Sequence, residues 1–352
     1  MNPYRSLPKK AFWKPAISER SFLDIDELYV KKFEIDPTDR IVTAGSCFAQ
    51  HIARKLRERG YNYRDYEQAP AYFPTSKLKS YNFGVYSARY CNIYTTRQLL
   101  QTIERALGQR DHLGQVWEKD GGFVDPFRPV VEPVPYKTAD EMLAARASHY
   151  RAVRRVIEES DIMVFTLGLT EAWIDKATGD VFPMCPGTQG GTFDPNAHAF
   201  ANFGFAEVYD DLKRAIALLK GVNPGLKFLF TVSPVPLTAT ASDQHVLPAT
   251  VYSKSVLRAV AGQIYQDYDF ADYFPSFEVV SSHPFNGFAF EPNKREVNTK
   301  GVDFVMQHFF SQHTAAGAGA AAVSALPDTA GVDDDEAVCE EMLLEQEAAK
   351  WR

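Results

Sequence analysis

The chain has 352 residues, 45% hydrophobic and 24% charged, which suits a soluble globular protein with one large core or two modest ones. Its net charge of −7 argues against a nucleic-acid-binding surface, because phosphate recognition needs a basic one. Residues 1–16 carry basic side chains with no apolar run behind them, and no stretch reaches the roughly 18 apolar residues of a membrane span. Neither a secretory signal nor a membrane anchor is therefore expected. The four cysteines, Cys47, Cys91, Cys185 and Cys339, form no close pair. That spacing suggests no disulfide framework and no metal site, and a reducing cytoplasm is the expected location.

Residues 1–38 are rich in proline, lysine and aromatics without a period, and read as an arm on the surface of the following domain. Arg40–Ala44 is a β-type run closed by Gly45. Phe48, Ala49, Ile52, Ala53 and Leu56 then recur at helical spacing until Gly60. Further β-type runs are expected at 62–66, 162–167, 227–232 and 277–280. Helical patterns fall at 97–107, 140–159, 206–220, 253–266 and 300–310. Strands alternating with helices predict an α/β domain over residues 39–312, with a parallel sheet covered on both faces. The segment 182–205, with Cys185, Gly187, Gly190, Gly191, His198 and Asn202, is long and aperiodic, as lids and substrate walls often are. The aromatic-rich run 61–94 is a second candidate wall. Residues 313–352 read as an Ala/Gly-rich flexible linker followed by an acidic terminal helix. That tail is either a solvated helix or a docking segment for a protein partner.

In parallel sheets, ligands bind beyond the carboxyl ends of the strands, which directs attention to the loops. Gly45 permits a sharp turn there. The helix behind it offers unpaired N–H groups and a positive dipole end, a field that favours a thiolate. Ser46 and Cys47 both occupy this turn. Their alternatives are structural: Ser46 as a helix cap and Cys47 as a small buried hydrophobe.

The run Thr43-Ala-Gly-Ser-Cys-Phe-Ala-Gln-His-Ile-Ala53 resembles the signature of the GSCFA family, a branch of the SGNH (GDSL-like) hydrolases. Downstream segments are similar as well: Leu167–Glu171, Asn223–Gly225 leading to Thr231–Val235, Tyr252–Leu257 and Tyr273–Glu278. The resemblance implies a flavodoxin-like three-layer sandwich with about five parallel strands, and acyl chemistry at a serine or cysteine. The superfamily register of Gly-Asp-Ser places Cys47 at the nucleophile and Ser46 where an aspartate stands, although Ser46 stays in contention. Oxyanion and substrate contacts are implied at Gly45, at Gly168 and Thr170 in place of Gly-x-Asn, and at Glu171. Asn82, Gly84 and Asn92 are candidates for the middle donor.

The superfamily's Asp-x-x-His is absent, since the corresponding segment, 291–298, holds no histidine. Of the eight histidines, His245 and His283 lie in loops after strands and are the expected bases, with Glu278 or Asp243 to orient the ring. Three functions follow. The first is an ester or thioester hydrolase or O-acyltransferase acting on a small-molecule or glycan ester. It would need no cofactor, and acyl-coenzyme A fits as a co-substrate. The second is a carbohydrate- or protein-binding module with a degenerate triad. The third is an adaptor working through the acidic tail.

Overall fold

The computed structural model of the chain describes residues 2–111, 114–313 and Leu343. His112, the Ala/Gly-rich stretch and the acidic run read above as a docking tail lie outside the described residues. Short 3₁₀ and π turns precede the first strand. Then follow β1 (Ile41–Gly45), α1 (Phe48–Glu58), α2 (Thr96–Ala106), β2 (Trp117–Lys119), β3 (Gly122–Val124), α3 (Ala139–Glu159), β4 (Ile162–Leu167), β5 (Glu171–Asp175), β6 (Val181–Phe182) and β7 (His198–Asn202). The chain continues through α4 (Phe205–Val222), β8 (Lys227–Val232), α5 (Val246–Asp267), β9 (Ala271–Tyr273), α6 (Ser276–Ser281) and α7 (Thr299–Gln312).

The central sheet has four parallel strands in the order β1-β4-β8-β9. Its strands are apolar on both faces and alternate between two cores. Met163, Phe165, Leu167, Phe228, Phe230 and Val232 pack with α2, α3, α4 and α5. Ile162, Val164 and Leu229 pack with α1, α6 and α7 on the other side. Ile25, Tyr29 and Ile35 of the N-terminal segment join this second core. The arrangement is a three-layer α/β fold.

Two sequence expectations fail here. The fifth strand expected at 62–66 is reduced to one bridge, Ile41 to Tyr63. At the next outward-facing rung, the Thr43 N–H donates to the Ser87 hydroxyl at 2.9 Å, so a side chain takes the place of a neighbouring strand. The run at 277–280 is helical, within α6, and the last strand is Ala271–Tyr273. Short apolar runs fit a strand or a buried helix turn equally well, and tertiary context decides. In this case Ser276 anchors the helix start, its hydroxyl donating to Val232 O at 3.1 Å.

The segment 182–205 is also less open than expected. It contributes β7, which pairs with β5 in an antiparallel sheet of order β6-β5-β7. Gly191 N–H bonds Glu118 O on β2, fastening the segment to the β2–β3 hairpin. No described helix is long and apolar enough to cross a membrane.

Candidate functional site

β1 ends against β4, and the contact leaves no space for a side chain. Gly45 has φ +121°, and a Cβ there would fall 2.7 Å from Thr166 N and closer still to the Thr166 carbonyl oxygen. The Ser46 N–H donates to that carbonyl at 3.1 Å, and Ile93 N–H donates to Gly45 O at 2.9 Å. The turn is thus held from both sides before α1 begins. Cys47 is the N-cap residue of α1, with helical dihedrals and no capping hydrogen bond from its side chain. The first N–H groups of α1, which lack intrahelical acceptors, lie at this turn.

Ser46 and Cys47 face different surroundings. Cys47 is 5% exposed and belongs to the core on the α1 side of the sheet, with Phe48, Ile52 and Val235. Ser46 is 3% exposed, and its buried hydroxyl has no hydrogen-bond partner among the described residues. The Thr166 hydroxyl, on the neighbouring strand, is in the same state.

Gly168 belongs to this constellation, because a Cβ on it would lie 3.0 Å from the Ser46 Cβ and 2.9 Å from Tyr94 O. The N–H groups of the loop are all occupied, however. Gly168 and Leu169 both donate to Tyr94 O, at 3.2 and 2.8 Å, and Thr170 donates to the Ser253 hydroxyl at 3.0 Å. Thr170 is fully buried, and its hydroxyl donates to the Asn202 side-chain oxygen at 2.7 Å. The oxyanion role expected of Gly168 and Thr170 therefore has no donor behind it in this conformation.

That Thr170 bond fixes the Asn202 amide so that its nitrogen has no protein partner among the described residues. Asn202 is half-buried at the end of β7. Sequence reasoning placed it only in an aperiodic loop. Nothing in its neighbours marks a donor, since it reaches the site through strand pairing with Glu171. Glu171 accepts from the Thr240 hydroxyl at 2.7 Å, and burial raises its carboxyl pKa. It ties down the loop after β8.

The remaining expected residues are scattered. Asn92 is buried beside the turn, with its side-chain oxygen accepting from the Tyr86 hydroxyl, and Gln50 donates to that same hydroxyl at 2.9 Å. Asn82 instead donates to Val130 O at 2.9 Å, and Gly84 O accepts from Arg57 at 2.8 Å, against the C-terminal half of α1. His245 is an exposed N-cap of α5, its Nδ1 accepting from Leu247 N–H at 3.1 Å. His283 is exposed in a 3₁₀ turn and stacks on Trp13, ring centroids 5.5 Å apart. Each is thus engaged in a local contact of its own. Glu278 accepts from Arg258 and from the Tyr273 hydroxyl, so it orients no imidazole. Cys185 is a thiol, since burial pushes its pKa up to about 11.

Two residues beyond those expected complete the site. Ser253 and Lys254, both buried on α5, reach the β4 loop, and Lys254 Nζ donates to Gly168 O at 2.7 Å. Among the described residues there is no group of three or more His, Cys, Asp or Glu side chains placed to hold a metal ion.

The family model of the GSCFA family matches residues 40–309, from the residue before β1 into α7. The chain belongs to the GSCFA family. No curated protein matches it. Among solved structures, this GSCFA protein is similar to a salicylyl-acyltransferase, SsfX3, from a tetracycline biosynthetic pathway. The identity is 14% and the TM-score 0.26, over 48% of this chain and 46% of that one. The chain thus spans about half the length of that structure.

Proposed function

We propose that this GSCFA protein is an SGNH-type acyl-transferring enzyme, with Cys47 as the residue that carries the acyl group. The observation that supports the reading is the Gly45 turn, a glycine-dependent junction that sets Cys47 at the head of a helix on the carboxyl edge of a parallel sheet. The Cys47 thiolate attacks the carbonyl carbon of the donor, forming a C–S bond. The donor's C–S or C–O bond breaks, and the leaving thiol or alcohol takes a proton from solvent. Water or an acceptor hydroxyl then attacks the thioester, loses its proton to solvent, and releases the thiolate.

The expected imidazoles, His245 and His283, are engaged in a helix cap and a ring stack, which favours a thioester donor over an oxygen ester. A thiol leaving group has a pKa of about 8.5, and departs without the general acid that an alkoxide needs. Acyl-coenzyme A fits as the co-substrate, and a small molecule or glycan hydroxyl as the acceptor.

A second reading, a binding module without turnover, draws on the internal bonding of Gly168, Leu169 and Thr170 N–H. Release of free thiol from a panel of acyl thioesters separates the two. The enzyme reading expects release by the wild type, loss of at least about a hundredfold in Cys47→Ala, and a smaller loss in Ser46→Ala. Release that survives Cys47→Ala but vanishes in Ser46→Ala transfers the acyl group to Ser46. Binding of these thioesters with no release at all favours the module.

A further inference from the structure

The expected histidine base is missing from its place, yet a cationic side chain is buried directly behind the turn. Lys254 lies in the third turn of α5 and is 2% exposed. Its ammonium donates to Gly168 O at 2.7 Å, while the adjacent Ser253 hydroxyl accepts from Thr170 N–H at 3.0 Å. Two successive helix residues therefore grip the β4 loop at both ends. Gly168 has no slack on its other side, where Ser46 Cβ would stand 3.0 Å from a Cβ on the glycine. A shift of the Gly168 peptide is passed on to Ser46 and to Cys47, one residue further. Burying an ammonium costs several kcal/mol unless the charge is used, and an apolar side chain of similar length would fill the same space without that cost.

We propose that Lys254 is a positioning residue of this site: it fixes the Gly168 carbonyl against the turn, and its charge favours the thiolate form of Cys47. The proposal rests on the reading of Cys47 as the acyl carrier, and it adds the charged group that the superfamily pattern does not supply. In this role Lys254 is the donor to Gly168 O. It acts through the Gly168–Ser46 contact and through its field.

The test is the pH profile of Cys47 alkylation by iodoacetamide, resolved by peptide mass spectrometry, with thermal unfolding measured on the same samples. Lys254→Met should move the alkylation midpoint up by about one pH unit and slow the reaction at neutral pH about tenfold. Lys254→Arg, which keeps the charge, should restore most of both. Ser253→Ala loosens the loop without removing charge, and should lower the melting temperature while leaving the midpoint in place. A folded Lys254→Met protein with the wild-type profile overturns the proposal. If Lys254→Met does not fold, Lys254→Gln is read by the same profile and the same criterion. Thioester turnover with an unmoved midpoint removes the role of Lys254 alone. A shifted midpoint without turnover on any thioester removes the acyl-transfer reading and leaves Lys254 in place.

Discussion

Two buried polar regions of the protein are satisfied in opposite ways. Around Asp125, which is 1% exposed, the carboxylate is matched: Arg128 Nε approaches at 3.0 Å, Arg146 at 2.9 Å, and Phe127 N–H at 3.1 Å. Glu67 nearby takes His149 at 2.6 Å and the Arg89 N–H at 2.8 Å. Phe127 lies between the guanidinium groups of Arg105 and Arg146. At the Gly45 turn, by contrast, the buried hydroxyls of Ser46 and Thr166 have no partner among the described residues. Buried polar atoms are costly when unpaired, so the first region has the character of a clamp. The clamp also serves the turn, because Arg128 donates to Arg89 O at 3.1 Å and so holds the segment that runs on to Asn92 and Ile93.

Breaking the matched region should have the largest effect. Asp125→Ala strands Arg146 and Arg128, both nearly fully buried, and is expected to destabilise the fold by about 3–5 kcal/mol in urea unfolding. A loss below about 1 kcal/mol would show that these charges reach solvent, and the contrast between the regions would fail.

Acid should act next, through a second fully partnered knot. Ile35 N–H donates to His313 Nδ1 at 3.2 Å, which leaves the ring proton on Nε2 to donate to Tyr29, 2.9 Å away. The Tyr29 hydroxyl then donates to Asp272 at 2.9 Å. Burial lowers the His313 pKa to about 4, while the unfolded chain titrates near 6.5. Between these values the unfolded chain binds more protons. The stability present above pH 6.5 is therefore lost as the pH falls toward 4, by roughly 3 kcal/mol over the window. His51, also lowered to about 4 by burial, adds in the same direction. Asp125 is held at about 2 although burial works against it, because Arg146 and Arg128 oppose its protonation, so its contribution disappears only at still lower pH. Stability that is flat from pH 7 to 4 would contradict the buried, neutral state of His313.

Gly45→Ala tests the turn itself. The positive φ and the encroachment on Thr166 predict a loss of about 2–3 kcal/mol in thermal or urea unfolding, with acyl transfer reduced further than stability alone explains. His245→Ala should be the mildest change. It removes a helix cap, costs about 1 kcal/mol or less, and leaves thioester turnover within about twofold. A large loss of turnover with little loss of stability would return His245 to the site as its base.

The sequence made the turn legible because strand, glycine and amphipathic helix follow one another within it, and local pattern carries that information. β4 and β8 were legible for the same reason, as continuous apolar runs of strand length. The run 277–280, expected as a strand, folds within α6, because Phe277–Val280 is too short for its composition to choose between strand and helix. The β5–β6–β7 sheet escaped notice since its strands are short and half-exposed. At the site, Lys254 and Asn202 arrive from α5 and β7 by tertiary contact. No spacing rule connects them to Gly45, although the Tyr252–Leu257 segment had drawn attention as a family feature. The histidines are hard to read for the opposite reason. A loop position after a strand suits a base, a helix cap and a stacking partner equally, and only the contacts of His245 and His283 distinguish these roles.

The central claim concerns one sulfur atom. Brief exposure of the protein to an acyl thioester, followed by acid quenching and peptide mass mapping, tests it directly. The account predicts one acyl group per chain on the peptide containing Cys47, absent from Cys47→Ala and removed by a hydroxyl acceptor or by water. Turnover of the thioester with the acyl group found on Ser46, on another residue or on none would contradict it.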